Sequence, residues 1–425
     1  MIKSSLSDWL EYQQGLNAIE IDLSLERVKK LFDKIDLKFP EKNIFLIAGT
    51  NGKGTTLALI ENFLMLKGMK TGAYTSPHLI DYNERITIDK KKVSDDQLIK
   101  SFEYIESIRE DIPLTYFEFG TLAAFSLLSK HNCDAFLIEV GLGGRLDATN
   151  VIDSDVSIIT NIDLDHQDWL GDSIEEIAFE KAGVAKKNKP LIYGDNKAQS
   201  VVQEQARLKG SRLIARDKDF YIIEANNCFE WKGINHSIGK IKLPAHWASG
   251  EVNNLATALS ALEASDASLL PTNKELNNAL ESFSLPGRFE LIESKSQWIL
   301  DVAHNPGAAK NFRDRLNTMK LEPGNTMIIS MMKDKNLEDF IGVFKDMVSN
   351  WVVCKMDTDR SFTSQELKER LGLMGINDIT ITDSPYEAFK YVENLRPISD
   401  NIIVSGSFEL VGPAKEYLSK TREIQ

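Results

Sequence analysis

Residues 44–68, IFLIAGTNGKGTTLALIENFLMLKG, decide how the rest of the chain is read. Ile44 to Ala48 is an apolar run of the length of a buried strand. Gly49, Thr50, Asn51, Gly52, Lys53, Gly54, Thr55 and Thr56 follow, and from Lys53 to Lys67 apolar residues recur at helical spacing, with Gly68 placed as a C-terminal cap. A glycine-rich turn between strand and helix lets backbone N–H groups approach phosphates. The helix N-terminus favours the anion, and Lys53 has the reach for its terminal oxygens. The spacing departs from the strict GxxxxGKS/T pattern, because position 47 is Ile and Gly follows Lys53. A plain glycine-rich turn is the competing reading; the lysine and the paired threonines weigh against it.

Outward from this loop, short apolar runs alternate with helical segments, the pattern of a mostly parallel sheet flanked by helices, so the fold class is α/β. Strands are expected at Thr71 to Thr75, Ala135 to Val140, Val156 to Thr160 and Pro190 to Tyr193. Ser211 to Leu243 is rich in short β-type runs with turn residues between them, and reads as a small antiparallel appendage. LPGRFE, Leu285 to Glu290, places Pro and Gly between a helical segment and a new strand, so a first domain is set at 1–287 and a smaller Rossmann-like one at 288–425. In the second, strands are expected at Trp298 to Val302, Thr326 to Met331, Trp351 to Cys354 and Asn401 to Val404, with helices from Pro306, near Leu337 and from Ser364.

Composition narrows the function. The 425 residues carry 50 Lys and Arg against 63 Asp and Glu, a net charge of −13, which weighs against nucleic acid as a partner. Cys133, Cys228 and Cys354 are odd in number and form no CxxC pair, so neither a disulfide framework nor a zinc cluster is expected. The N-terminal MIKSSLSDWLEYQQ lacks a signal-peptide core and no apolar stretch reaches spanning length, so a cytoplasmic protein with no membrane partner is expected.

A phosphate site of this kind needs magnesium, held by a few oxygens or a nitrogen. Three strand ends offer ligands: Ser76 in TSPH, Glu139 before GLGGRLDATN, and His166 after SIITNID. Carboxyl ends of neighbouring strands in an open α/β sheet converge on one crevice. Each residue alone reads as a loop residue; their common strand-end placement is what raises them.

At this point eight ordered motifs carry a resemblance: GTNGKGT (49–55), YTSPHL (74–79), TYFEFGTLAAF (115–125), EVGLGGRLDATN (139–150), NIDLDHQDWLG (161–171), FEKAG (179–183), PGRFE (286–290) and DVAHNP (301–306). Together they resemble the folylpolyglutamate synthases among the Mur-ligase-like amide-forming ATPases, and EIDLSLERV (20–28) is similar to the bifunctional dihydrofolate synthase/folylpolyglutamate synthase family. The resemblance implies that ATP phosphorylates a carboxylate and that the amine of L-glutamate attacks the acyl phosphate. The acceptor is dihydropteroate and then a reduced folate such as tetrahydrofolate; chain extension alone is the alternative. It implies Gly49, Thr50, Asn51, Gly52, Lys53, Gly54, Thr55, Asn254, Arg288 and Asp301 as ATP contacts. Ser76, Glu139, His166 and a carbamylated Lys181 would hold Mg2+, as two ions. Asp22, Leu23, Thr115, Phe117, Leu146, Asp147 and Ala148 would form the pterin site, and His304 would position glutamate. The protein is expected to act as a monomer.

As bare residues several of these read otherwise: Lys181 as a solvated helix lysine, Asn254 as a polar helix residue and Arg288 as a linker charge, while core packing is an open alternative for Phe119 and, less so, for Phe117. Two stretches depart from the family, Lys333-Asp334-Lys335-Asn336, with Asn where many members carry Asp, and SGSFELVG (405–412). A wall-type ligase acting on nucleotide-sugar peptides is disfavoured by the early phosphate loop, and a non-catalytic ATP switch by intact Lys53, Glu139, His166 and Lys181.

Overall fold

In a computed structural model that describes residues 3–17, 22–35, 37–225, 228–319, 321, 324–395 and 401–423, the chain forms two compact units. The first comprises residues 1–163, 167–243 and 251–281; the second comprises 164–166, 244–250 and 282–425. Glu20 and Ile21, which open EIDLSLERV, lie outside the described residues.

The first unit is built on an eight-stranded sheet. Its strands are β1 (Ile44–Ala48), β2 (Thr71–Tyr74), β3 (Ile86–Ile88), β4 (Lys91–Lys92), β5 (Ala135–Glu139), β6 (Val156–Ile159), β7 (Pro190–Tyr193) and β8 (Arg212–Ala215), in the order β4-β3-β2-β5-β1-β6-β7-β8. From β2 to β8 neighbours run parallel, while β3 and β4 add an antiparallel edge. The chain runs from β1 outward to β2, returns through β5, then continues on the other side with β6. The order reverses at β1, so its carboxyl end opens on the crevice where such sheets bind ligands. Every residue of β1 is buried, as its unbroken apolar run requires of a central parallel strand.

The helices here are α1 (Leu6–Gln14), α2 (Glu26–Phe32), α3 (Lys53–Leu66), α4 (Asp95–Arg109), α5 (Tyr116–Ser129), α6 (Gln167–Leu170), α7 (Ile174–Ala182), α8 (Gln199–Lys209), α9 (Ser249–Ser265), which starts in the second unit, and α10 (Asn273–Glu281). A small antiparallel sheet of β9 (Tyr221–Ala225), β10 (Cys228–Lys232) and β11 (Ser237–Ile241) matches the expected appendage. One part of that expectation is corrected. Arg212–Ala215 pairs in parallel with β7 and completes the main sheet, because helix α8 supplies the crossover a parallel strand needs.

In the second unit, β12 (Arg288–Glu293), β13 (Gln297–Asp301), β14 (Asn325–Ile329), β15 (Val348–Cys354), β16 (Ile379–Thr382) and β17 (Asn401–Ser405) lie in the order β12-β13-β17-β14-β15-β16. Only β12 runs antiparallel. Helices α11 (Pro306–Thr318), α12 (Leu337–Phe344), α13 (Ser364–Leu373), α14 (Pro385–Glu393) and α15 (Phe408–Glu423) complete it, and Ile299, Phe312, Met327, Phe340, Trp351 and Ile403 are part of its core. Among the described residues no helix is long and apolar enough to cross a membrane.

Candidate functional site

The turn from β1 to α3 leaves no room for a side chain at two positions, Gly49 and Gly52. Gly52 is the N-cap of α3 with φ 82, and a Cβ there would come within 2.9 Å of Asn254 Cγ. Gly49 has φ 148, and a Cβ on it would collide with the Thr160 side chain. Only glycine fits both conformations and both close approaches. The loop between them is held by β6: Asn51 N–H donates to Asn161 Oδ1 at 2.7 Å, Thr160 Oγ1 donates to Asn51 O at 2.6 Å, and Thr50 N–H donates to Asn161 O at 3.0 Å. Lys53 folds its ammonium back over the loop, donating to Gly49 O at 3.0 Å and Thr50 O at 3.3 Å. Thr55 and Thr56 are buried in the first turn of α3, and Thr56 Oγ1 has no hydrogen-bond partner.

Beside this loop, at the end of β5, Glu139 is 4 % exposed and its Oε2 lies 3.4 Å from Ser76 N. The structure thus brings together two of the expected magnesium ligands. Magnesium binds through one or two protein carboxylates, with phosphate and water oxygens filling the other positions. A buried carboxylate beside a phosphate-type loop fits that chemistry. Among the described residues no group of three or more His, Cys, Asp or Glu side chains is placed to hold a metal ion by itself.

Lys181 sits in the last turn of α7 and is only 4 % exposed, unlike a solvated helix lysine. The loop 141–150 is clamped to that helix end. Arg145 N–H donates to Glu180 O at 2.8 Å, its Nη2 lies 2.8 Å from Glu180 Oε1, and Asn150 Nδ2 donates to Gly183 O at 3.3 Å. Within the loop, Asp147 Oδ2 accepts from Leu142 N–H and Oδ1 from Thr149 N–H and Oγ1. Burial raises the Asp147 carboxyl above its ordinary value, opposed by those donors and the charge of Lys53. Leu146 is half-buried and Ala148 belongs to the core.

The remaining acceptor candidates gather at the start of α5. Thr115 is its N-cap in a capping box with Glu118, and the half-buried Phe117 ring stacks on Tyr74 with centroids 6.2 Å apart. A Cβ on Gly141 would run into that ring, so Phe117 lies across the start of the 141–150 loop. Phe119 is core, against Trp9 and Phe102. Asp22 and Leu23 precede α2, with Asp22 Oδ2 2.7 Å from Arg27 Nη1.

His166 groups with the second unit. There Asp165, missed by the sequence reading, is a hub. It lies 2.7 Å from Lys335 Nζ, accepts from Asn305 Nδ2 at 2.9 Å and from His166 N–H at 2.9 Å, and is 3.7 Å from His304 Nε2. The side chains of Asp165 and Lys335 are 7 % and 8 % exposed. Burial pushes the Asp165 carboxyl up, but Lys335, His304 and His166 together outweigh it and hold it well below the usual carboxylate range. Asn305 also caps α11, accepting from Ala308 N–H at 2.9 Å, and His304 Nδ1 donates to Val302 O at 2.9 Å. Motif position was the available signal: Asp165 and Asn305 stand in NIDLDHQDWLG and DVAHNP, and Lys335 in a lysine-aspartate pair read only as a departure.

Asp301, at the end of β13, accepts from Phe289 N–H and Ala303 N–H, both at 2.9 Å, and stands opposite Arg288 across a bulge. Phe289 carries that bulge at φ 53, its ring stacked on His246 at 5.5 Å with the Arg315 guanidinium 4.2 Å from its centre. Burial pushes the Asp301 carboxyl up to about 6 against the pull of Arg315, the Ala303 N–H, Arg288 and the Phe289 N–H.

With this geometry in place, known proteins can be compared. Residues 47–240 match the family model described as Mur ligase middle domain, and 287–408 that of the Mur ligase glutamate ligase domain. Fold and loop therefore define a Mur-type ligase. The Escherichia coli K12 dihydrofolate synthase/folylpolyglutamate synthase is 36% identical over 419 residues, 99% of this chain and 97% of that protein. A solved structure described as E. coli FolC in complex with DHPP and ADP superposes with a TM-score of 0.91 at 35% identity, covering 99% of each chain. Another, a bifunctional folylpolyglutamate synthase/dihydrofolate synthase with Mn, AMPPNP and L-glutamate bound, gives 0.88 at 35% identity and 98% of each. The chain belongs to the dihydrofolate synthase/folylpolyglutamate synthase family.

Two outcomes follow from the second unit's charges. Asp165→Ala leaves the Lys335 ammonium buried without its carboxylate and is expected to cost about 3 kcal/mol or more in urea unfolding. Asp165→Leu with Lys335→Met should recover most of that loss; no recovery would show that the charges are not the cause. For Asp301, the folded value lies above the ordinary 3.8, so its stabilising share is complete below about pH 4 and lost as pH rises through about 6. Asp301→Asn should remove that slope from the unfolding free energy measured between those limits, whereas an unchanged slope would assign it to other groups.

Proposed function

We propose that the chain is an ATP-dependent ligase that joins L-glutamate to dihydropteroate and, in a second activity, adds γ-linked glutamates to reduced folates such as tetrahydrofolate. The observation that carries this reading is the turn after β1 held tight at Gly49 and Gly52, with Lys53 poised over it and the buried Glu139 beside Ser76 at the neighbouring strand ends.

A carboxylate is a poor electrophile. Transfer of the γ-phosphoryl group of ATP to the acceptor carboxylate releases ADP and gives an acyl phosphate. The glutamate amine then attacks the carbonyl carbon, loses a proton and expels phosphate, leaving an amide. Such transfers depend mainly on positioning and on compensation of phosphate charge. Residues Gly49 to Thr55 cradle the phosphates, and Lys53 exchanges the carbonyls of Gly49 and Thr50 for phosphate oxygens. Asn254, Arg288 and Asp301 are assigned to the nucleotide. Ser76, Glu139, His166 and Lys181, the last as a carbamate, are assigned to two magnesium ions. Magnesium, when bound, neutralises charge that develops on the phosphoryl oxygens. The burial of Lys181, which sets it apart from a solvated helix lysine, supports this assignment. His304 orients the incoming glutamate. Asp22, Leu23, Thr115, Phe117, Leu146, Asp147 and Ala148 hold the pterin and its benzoate, the stacked Phe117 supplying a flat apolar surface. In this assignment residues 1–287 serve ATP and pterin and 288–425 serve glutamate, in a cytoplasmic monomer.

Phosphate release should require ATP, magnesium, glutamate and an acceptor, and rise with either dihydropteroate or tetrahydrofolate, with product masses separating the two activities. Hydroxylamine should trap a hydroxamate; its absence at saturating reactants would remove the acyl phosphate from the scheme. Lys53→Ala should abolish turnover while leaving the thermal transition nearly unchanged, since Ala is well tolerated at the first position of a helix and only the ammonium's two bonds to backbone carbonyls are lost. Lys181→Ala should be inactive and partly rescued by acetate. Full activity without rescue would show that no carbamate is needed.

A further inference from the structure

Arg27 lies on α2, in the part of EIDLSLERV that the structure describes, and the scheme above gives it no role. Its half-buried guanidinium makes four polar contacts on two segments. Nη1 lies 2.7 Å from Asp22 Oδ2, and Nη2 donates to the Asp22 carbonyl at 3.3 Å. Nη2 also donates to Glu118 Oε1 at 2.9 Å, while Nε donates to Glu118 Oε2 at 3.4 Å. Glu118 is buried and closes the capping box of α5: Thr115 N–H donates to its Oε2 at 2.8 Å, and Glu118 N–H donates to Thr115 Oγ1 at 3.2 Å.

One planar fork therefore ties the segment carrying Asp22 and Leu23 to the helix turn carrying Thr115 and Phe117, although Arg27 and Glu118 are 91 residues apart in sequence. Two carboxylates share one guanidinium, so the cluster keeps a negative charge. A bare structural pin for α2 would account for the ion pairs, but not for their attachment at both ends to proposed acceptor-contacting residues.

We infer that Arg27 is a positioning residue for the pterin-bearing acceptor: by bridging Asp22 and Glu118 it sets the spacing between the two segments that grip the ring. The inference rests on the acceptor-site reading above. Lysine presents a point charge on a flexible stem and cannot make this fork, so Arg27→Lys is not conservative here.

The test is steady-state kinetics of the full chain with dihydropteroate, ATP and glutamate for Arg27→Lys, Arg27→Met and Glu118→Gln, with thermal unfolding run in parallel. The dihydropteroate KM should rise about tenfold or more in all three. The KM for ATP, and kcat at saturating acceptor, should stay within about twofold, as for loss of uniform binding. A fall in kcat with the dihydropteroate KM unchanged, or a lowered melting temperature with all kinetic constants unchanged, overturns the inference. Should the Arg27 variants not fold, the near-isosteric Glu118→Gln decides alone, an unchanged acceptor KM again counting against it. Phe117→Ala and Thr115→Val separate the two levels: if they leave the acceptor KM unchanged, the acceptor-site reading falls and Arg27 with it. If they raise it and the Arg27 variants do not, only the role of Arg27 is lost.

Discussion

The first unit depends on a turn that admits no side chain at Gly49 or Gly52. β1 must end, expose a row of N–H groups and become α3 within a few residues, while Thr160 presses on Gly49 from one side and Asn254 on Gly52 from the other. The Thr160 and Asn161 segment after β6 and Asn254 on α9 fix the loop from outside, so its conformation is set by the protein's own contacts. Preorganisation of this kind avoids the entropy that a flexible loop would lose on closing over its ligand. The central position of β1, flanked by β5 and β6, then places Glu139 and the Asn161-to-Asp163 segment beside the same turn.

In the second unit the organising element is charge. Asp165 and Lys335 are nearly excluded from solvent, and such a pair seldom adds net stability over apolar residues of the same size. What it supplies is registration. Two loops, one carrying His304 and Asn305 and one carrying Lys335, have to meet at the Asp165 carboxylate, and displacement of either takes a partner from a buried charge. The capping bond from Asn305 to Ala308 extends the arrangement to the start of α11.

The buried parallel strands of both units were legible because each is an unbroken apolar run bounded by turn residues, as in IFLIA and NIIVS. Edge strands were less so. Ile86–Ile88 and Lys91–Lys92 are short and carry half-exposed or charged residues, and Ile379–Thr382 alternates without a continuous apolar run. Arg212–Ala215 was read into the wrong sheet, since a short strand beside a β-rich appendage carries no local mark of its partner. Of the candidate site, the glycine-rich loop was visible in the residues themselves and Glu139 through its strand-end position, whereas Lys181, Asn254 and Asp301 rose above their neighbours only through ordered motifs. Asp165 and Lys335 form a long-range pair with no periodic signature, and neither residue type announces burial.

The contact between Gly52 and Asn254 ties a loop near the start of the chain to a helix two hundred residues later. Any drift that enlarges one partner has to be answered at the other, so these positions are expected to evolve as a unit. A combinatorial library that varies the loop would do well to diversify α9 together with it, because position 52 has no room for a side chain while Asn254 stands.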